Sequence, residues 1–142
     1  MNRFAILAVV LALYGCATPV IHDTASGRTE TIFRKDLTAT HAALLNGLVN
    51  RGYQITKDSP NLIVAERPLK GGAAFLLGSQ MNPIPVGRMS FTIIPSSAAD
   101  TRVVVDMAAV TNPGTGFEQL TPANGSADST AIQAWLSGLA AS

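Results

Sequence analysis

What most limits this chain lies at its start. An uninterrupted apolar run, Phe4 to Tyr14, stands behind one positive charge, Arg3, and just ahead of the only cysteine, Cys16. Eleven apolar residues are too few to cross a bilayer core, which takes about 20 in a helix. A charged start, a short apolar stretch and a small residue at the cut site, here Gly15, describe an export signal that is removed. The folded part is then expected after residue 15. It has no internal disulfide, because one cysteine has no partner. Of the 142 residues, 127 remain, enough for one domain held by its hydrophobic core.

Leu13-Tyr14-Gly15-Cys16 resembles the lipobox of bacterial lipoproteins. The resemblance implies cleavage after Gly15, a diacylglyceryl group on the Cys16 sulfur and usually acylation of the new amine. That covalent lipid is the one non-protein group expected. Tyr14 departs from the small residue usual at its position, which puts the efficiency of cleavage in question. Burial of each CH₂ contributes roughly 0.8 kcal/mol, so one chain binds reversibly while two or three hold a protein at the membrane. Ala17 follows the cysteine where an aspartate marks inner-membrane retention in enteric-type bacteria. By resemblance to that sorting rule, the anchor is expected in the outer membrane with the domain facing the periplasm.

Loss of Arg3 with the signal leaves nine basic residues against nine acidic ones. A balanced chain has no broad basic surface for nucleic acid, and none is expected as a partner. Three parts follow: a signal peptide over 1–15, a lipidated and flexible tether over 16–31, and one domain over 32–142. The polar stretch 17–31 contains Pro19 and Gly27 and little periodicity. Its fifteen residues span roughly 50 Å at full extension.

Within the domain, Ile32-Phe33 reads as a short strand or as a staple for the helix that follows. Asp36 caps that helix, which runs to about Arg51 with Leu37, Leu44, Leu45 and Leu48 on one face and Gly52 closing it. Strands are expected at 53–57, 62–67, 87–95 and 101–110 from alternating apolar residues separated by turn formers. Met89, Phe91 and Ile93 fall on one face of the third, and Val103, Val105, Met107 and Ala109 on one face of the fourth. Residues 111–127 read as loop. Ser126 or Asp128 then caps a last helix with Ile132, Trp135, Leu136 and Leu139 in one stripe. The expected fold class is α+β: a two-layer sandwich of a four-stranded, mainly antiparallel sheet with two helices on one face, in the order α-β-β-β-β-α.

The helix ending in Gly52-Tyr53, the hairpin over 53–67 with its Ala65-Glu66-Arg67, the later paired strands and the final helix together resemble small proteobacterial envelope lipoproteins. Among these the pattern is similar to the helix-grip domains of the BamC-type accessory lipoprotein of the outer-membrane assembly machine. The likeness covers most of residues 32–140 and implies an accessory role in the envelope.

No catalytic constellation is legible, and an enzyme is not expected. Of the two histidines, His22 lies in the expected tether beside Asp23, and His41 sits by the apolar stripe of the first helix. Metal-ligand spacing, a nucleophile elbow and phosphate-binding loops are absent from the sequence, so no metal site is expected. Gly71-Gly72 and Gly114-x-Gly116 are too short to cradle a phosphate. One connection stands out. Residues 70–85 are long for a loop and apolar, with Phe75, Leu76, Leu77, Met81 and Ile84 among glycines and prolines. The plain reading has this segment plugging the core or covering the sheet. The functional reading has it touching a partner protein or lipid. Phe117 poses the same choice, and the plain reading packs it under the last helix.

These features lead to an expected role as a membrane-anchored, non-enzymatic adaptor that docks on an envelope protein. The rival is a carrier or sensor for a lipid or another small apolar ligand, held in a groove between helix and sheet.

Overall fold

The computed structural model describes residues 19–71 and 83–142. Their elements run β1 (Thr29–Phe33), α1 (Leu37–Asn50), β2 (Gln54–Ser59), β3 (Leu62–Pro68), β4 (Val86–Pro95), β5 (Thr101–Thr111), β6 (Gln119–Pro122) and α2 (Ala127–Ala141). Among the described residues the class is α+β, with two helices and one antiparallel sheet. The expected count of four strands is corrected to six. Ile32-Phe33 is the end of a true strand, and β6 arises inside the stretch expected to be loop.

The sheet is ordered β1-β5-β4-β3-β2, and β6 also pairs with β5. β4 takes one side of β5 along its length, from Val86↔Val110 to Pro95↔Thr101. The other side is shared. β1 pairs with residues 101–105 of β5 and β6 with residues 108–111, so the two short strands lie end to end. Asp106 and Met107 face the gap between them. There the Ala123 N–H donates to the Met107 carbonyl at 2.8 Å, and the Met107 N–H donates to Asn124 Oδ1 at 2.6 Å. Asn124 Nδ2 reaches Asp106 Oδ1 at 3.2 Å, and Arg28 pairs with the same carboxylate. The gap is thus closed by hydrogen bonds where strand pairing stops.

The inward face carries Ile63 and Ala65, then Met89, Phe91 and Ile93, then Val103, Val105 and Met107, all buried in one cluster with Phe33, Leu44, Leu48 and Leu136. Period-two alternation delivers these residues to a single face, as the sequence pattern requires. Leu37 and Leu45 of α1, with Ile132, Trp135 and Leu139 of α2, pack around the cluster's rim. Trp135 meets the edge of Phe91 with ring centroids 6.1 Å apart.

α1 starts where expected: the Asp36 carboxylate accepts from the Ala39 N–H at 2.7 Å. It stops at Gly52, whose φ of +76° suits a residue without a side chain. Gly47 lets the helices meet, since a Cβ there would lie 3.0 Å from Trp135 Cζ2 and 3.3 Å from Leu139 Cδ2. The two helices expected on one face flank the sheet differently from one another. α1 crosses from the β1 edge toward the β2 edge, while α2 is drawn alongside β1.

Much of the stretch expected as tether is held by the fold. Residues 29–31 belong to β1, the Val20 N–H donates to the Gly125 carbonyl at 3.0 Å, and His22 Nε2 meets Ser129 Oγ at 2.9 Å. Among the described residues, no helix is long and apolar enough to cross a membrane.

Candidate functional site

Gly15, Cys16, Phe75, Leu76, Leu77 and Met81 lie outside the described residues. Phe117 lies within them, and its place corrects the reading that packs it under α2: the residue is 82% exposed. Free energy opposes leaving so large an apolar side chain in water, by roughly 1.5–3 kcal/mol relative to burial. Its exposure is enforced by the loop that carries it.

That loop, 112–118, is hydrogen-bonded to itself. Asn112 takes φ +51° and Gly114 φ +73°, left-handed conformations that asparagine and glycine tolerate best. The Asn112 carbonyl accepts from the Thr115 hydroxyl at 2.8 Å and the Thr115 N–H at 3.2 Å. Thr115 Oγ1 in turn accepts from the Phe117 N–H at 3.2 Å, and the Thr115 carbonyl accepts from the Glu118 N–H at 3.2 Å. The Glu118 carboxylate folds back to accept from the Gly114 N–H at 3.0 Å. The aromatic ring is therefore presented by a braced turn.

The brace continues into the sheet. Arg88 forks onto Glu118, with Nη1 to Oε1 at 2.7 Å and Nη2 to Oε2 at 3.0 Å, while its Nε donates to Glu66. Register explains the reach. Arg88 is paired with Glu66 across β3 and with Ala108 across β5, and an alanine methyl leaves the guanidinium room to extend over β5 toward Glu118. The Arg88 guanidinium, followed by the Gly114 N–H, holds the Glu118 carboxyl below its ordinary range. Glu118 and Glu66 raise Arg88 in return, against its partial burial. A planar fork on a carboxylate fixes direction as well as charge.

Two more exposed apolar side chains belong to this end of the sheet: Ile84 just ahead of β4, 65% exposed, and Leu120 on β6, 55% exposed. Leu120 is in register with Val110, and Val110 with Val86, which sets apolar residues side by side on three strands, Val110 itself being fully buried. The Leu69 N–H donates to the Pro85 carbonyl at 2.9 Å, which closes the base of the connection 70–85 at the same end. Both segments singled out in the sequence therefore leave the sheet at one place. Nothing in the linear order brings Arg88 and Glu118 together. Only the register of β4 with β5 does so.

Neither histidine pair is arranged for nucleophilic attack. His41 Nε2 meets Asp58 Oδ1 at 2.7 Å beside an open cleft of about 330 Å³ lined by Leu37, Thr38, Ser59 and Pro60. The nearby Ser59 hydroxyl is engaged with the Leu62 carbonyl at 3.1 Å. At His22 the partner hydroxyl belongs to Ser129, which is fully buried and donates to the Ser126 carbonyl at 2.7 Å. No substrate reaches it. Among the described residues, no group of three His, Cys, Asp or Glu side chains is placed to hold a metal ion.

No family model matches the sequence, and no curated protein matches it.

Proposed function

We propose that this protein is an exported, lipid-anchored accessory module that docks on an envelope protein through the 112–118 loop and catalyses nothing. The observation that carries the reading is Phe117: an aromatic side chain standing in water on a turn that is hydrogen-bonded to itself and to Arg88. An exposed aromatic on a rigid support loses little conformational entropy on binding, which is how a single anchor residue contributes strongly to an interface. The anchor on Cys16 restricts the search to a membrane surface and raises the effective concentration of a modest binding face. Ala17 after the cysteine supports the outer membrane, with the domain on the periplasmic side.

A carrier of apolar ligands needs an open groove between helix and sheet. That space is occupied here by Phe33, Leu44, Leu48, Phe91 and Leu136, each fully buried. No observation favours that rival over the adaptor.

The test is a quantitative comparison of the envelope proteins that co-purify with the acylated protein and with its Phe117→Asp variant, at equal abundance. At least one envelope protein should fall by roughly tenfold, the loss of a hot-spot residue worth about 1.4 kcal/mol or more. An unchanged set of companions, from a variant that unfolds at the wild-type midpoint, would sink the proposal.

A further inference from the structure

We propose that the anchor holds the domain edge-on against the bilayer, with the shared β1/β6 edge and Ile21 at the level of the lipid headgroups and the β2 edge turned away. This rests on acylation of Cys16, as in the function proposed above.

Reach decides the orientation. The Val20 N–H is bonded to the Gly125 carbonyl at 3.0 Å. Pro19 packs so closely there that a Cβ on Gly125 would lie 3.0 Å from Pro19 Cβ. Four peptide steps separate Cys16 from Val20, and they span at most about 14 Å. Gly125 follows Asn124, the residue bonded to Met107 on the open side of β5. The leash is thus fastened to the shared edge. The opposite edge, β2, is four strand spacings away, or roughly 19 Å. A leash of that length keeps the shared edge at the membrane and leaves β2 beyond it, together with the His41–Asp58 cleft.

A second observation agrees. Ile21 is 79% exposed, five residues after the cysteine. Ile32 on β1 and Leu120 on β6 are also exposed, so apolar surface gathers along the edge that the anchor holds. At the fastening point charge contributes no attraction, and the two cations that follow β1, Arg34 and Lys35, stand at that strand's far end. Asp23 and Asp128 lie beside the fastening point, and Arg28 is engaged by Asp106. The partner surface is therefore the apolar boundary of a phospholipid layer, reached without anionic lipid.

The test uses the full acylated protein in phosphatidylcholine vesicles. Ile21→Cys and Lys57→Cys each supply a free thiol, the Cys16 sulfur being blocked by its lipid, and each takes an environment-sensitive fluorophore. Nitroxide placed near the top of the lipid chains should quench the Ile21 probe at least roughly twofold more than the Lys57 probe, as for a group at the headgroup–acyl boundary. The difference should persist in high salt. Inserting about twelve Gly/Ser residues between Thr18 and Pro19 lengthens the leash without touching the Gly125 contact, and should abolish the difference. Equal quenching of the two probes on verified acylated protein overturns this orientation alone. A mass showing Cys16 without lipid overturns the anchored reading and this inference with it.

Discussion

Gln133 clasps the main chain of Glu30: the Glu30 N–H donates to Gln133 Oε1 at 2.9 Å, and Gln133 Nε2 donates to the Glu30 carbonyl at 2.9 Å. A side-chain amide thus takes the place of a neighbouring strand along β1. An unpaired edge is a template for association with other chains, and covering it is one of the ways proteins prevent that. Replacing Gln133 by Ala leaves both groups of a nearly buried residue without a partner. The expected loss is about 1–3 kcal/mol, read as a lower urea midpoint at unchanged slope. A greater tendency to self-associate should accompany it.

The Arg88 fork is expected to govern the Phe117 loop. Arg88→Met keeps much of the apolar stem and removes the charged guanidinium. The loop should then loosen, with exchange of the Gly114 amide proton faster by roughly tenfold while amides in the middle of β5 keep their protection. Unchanged exchange at Gly114 would mean that the loop's own hydrogen bonds suffice.

Acid sensitivity follows from two carboxylates. Glu30 is held below its ordinary range, chiefly by its hydrogen bond from Arg102, and Glu118 chiefly by Arg88. A carboxyl with a lowered folded-state value contributes stability that is complete above the unfolded value, about 4.3. The contribution disappears as pH falls through the folded value below it. The difference in urea midpoint between wild type and a Glu30→Gln/Glu118→Gln variant should therefore be constant near neutrality and shrink below about pH 4. A difference independent of pH down to acid unfolding would contradict the assignment.

Leu136 is the one fully buried apolar residue of α2 and ties the helix to the shared core. Leu136→Ala should cost about 2–5 kcal/mol. Calorimetry or urea titration measures it. A loss below about 1 kcal/mol would show that α2 is held mainly at its edge, through Gln133.

Much of this was legible beforehand, for reasons that particular residues show. Met89, Phe91 and Ile93 alternate against Arg88, Ser90 and Thr92, so both the strand and its inward face could be read from period alone. Asp36 and Gly52 marked the ends of α1 by their own chemistry. β6 escaped because its four residues, Gln119–Pro122, are all exposed and carry no alternation. β1 begins earlier than its sequence suggests because Thr29 and Glu30 look like polar linker, while Glu30 is held by Gln133 and Arg102, far away in sequence. The same holds for the site. Phe117 could be picked out as a candidate, but its exposure is decided by Arg88 and Glu118, which meet only through strand register.

The central claim is that Phe117 is a docking anchor on a membrane-held domain. Its most direct test places a photoreactive residue at Phe117 in the acylated protein in living cells, with Ile94, exposed on the outward face of β4, as the control. The account predicts a discrete protein adduct from position 117, absent from 94 and much reduced when Cys16→Ser releases the domain from the membrane. Internal adducts alone, or the same products from both positions, would contradict it.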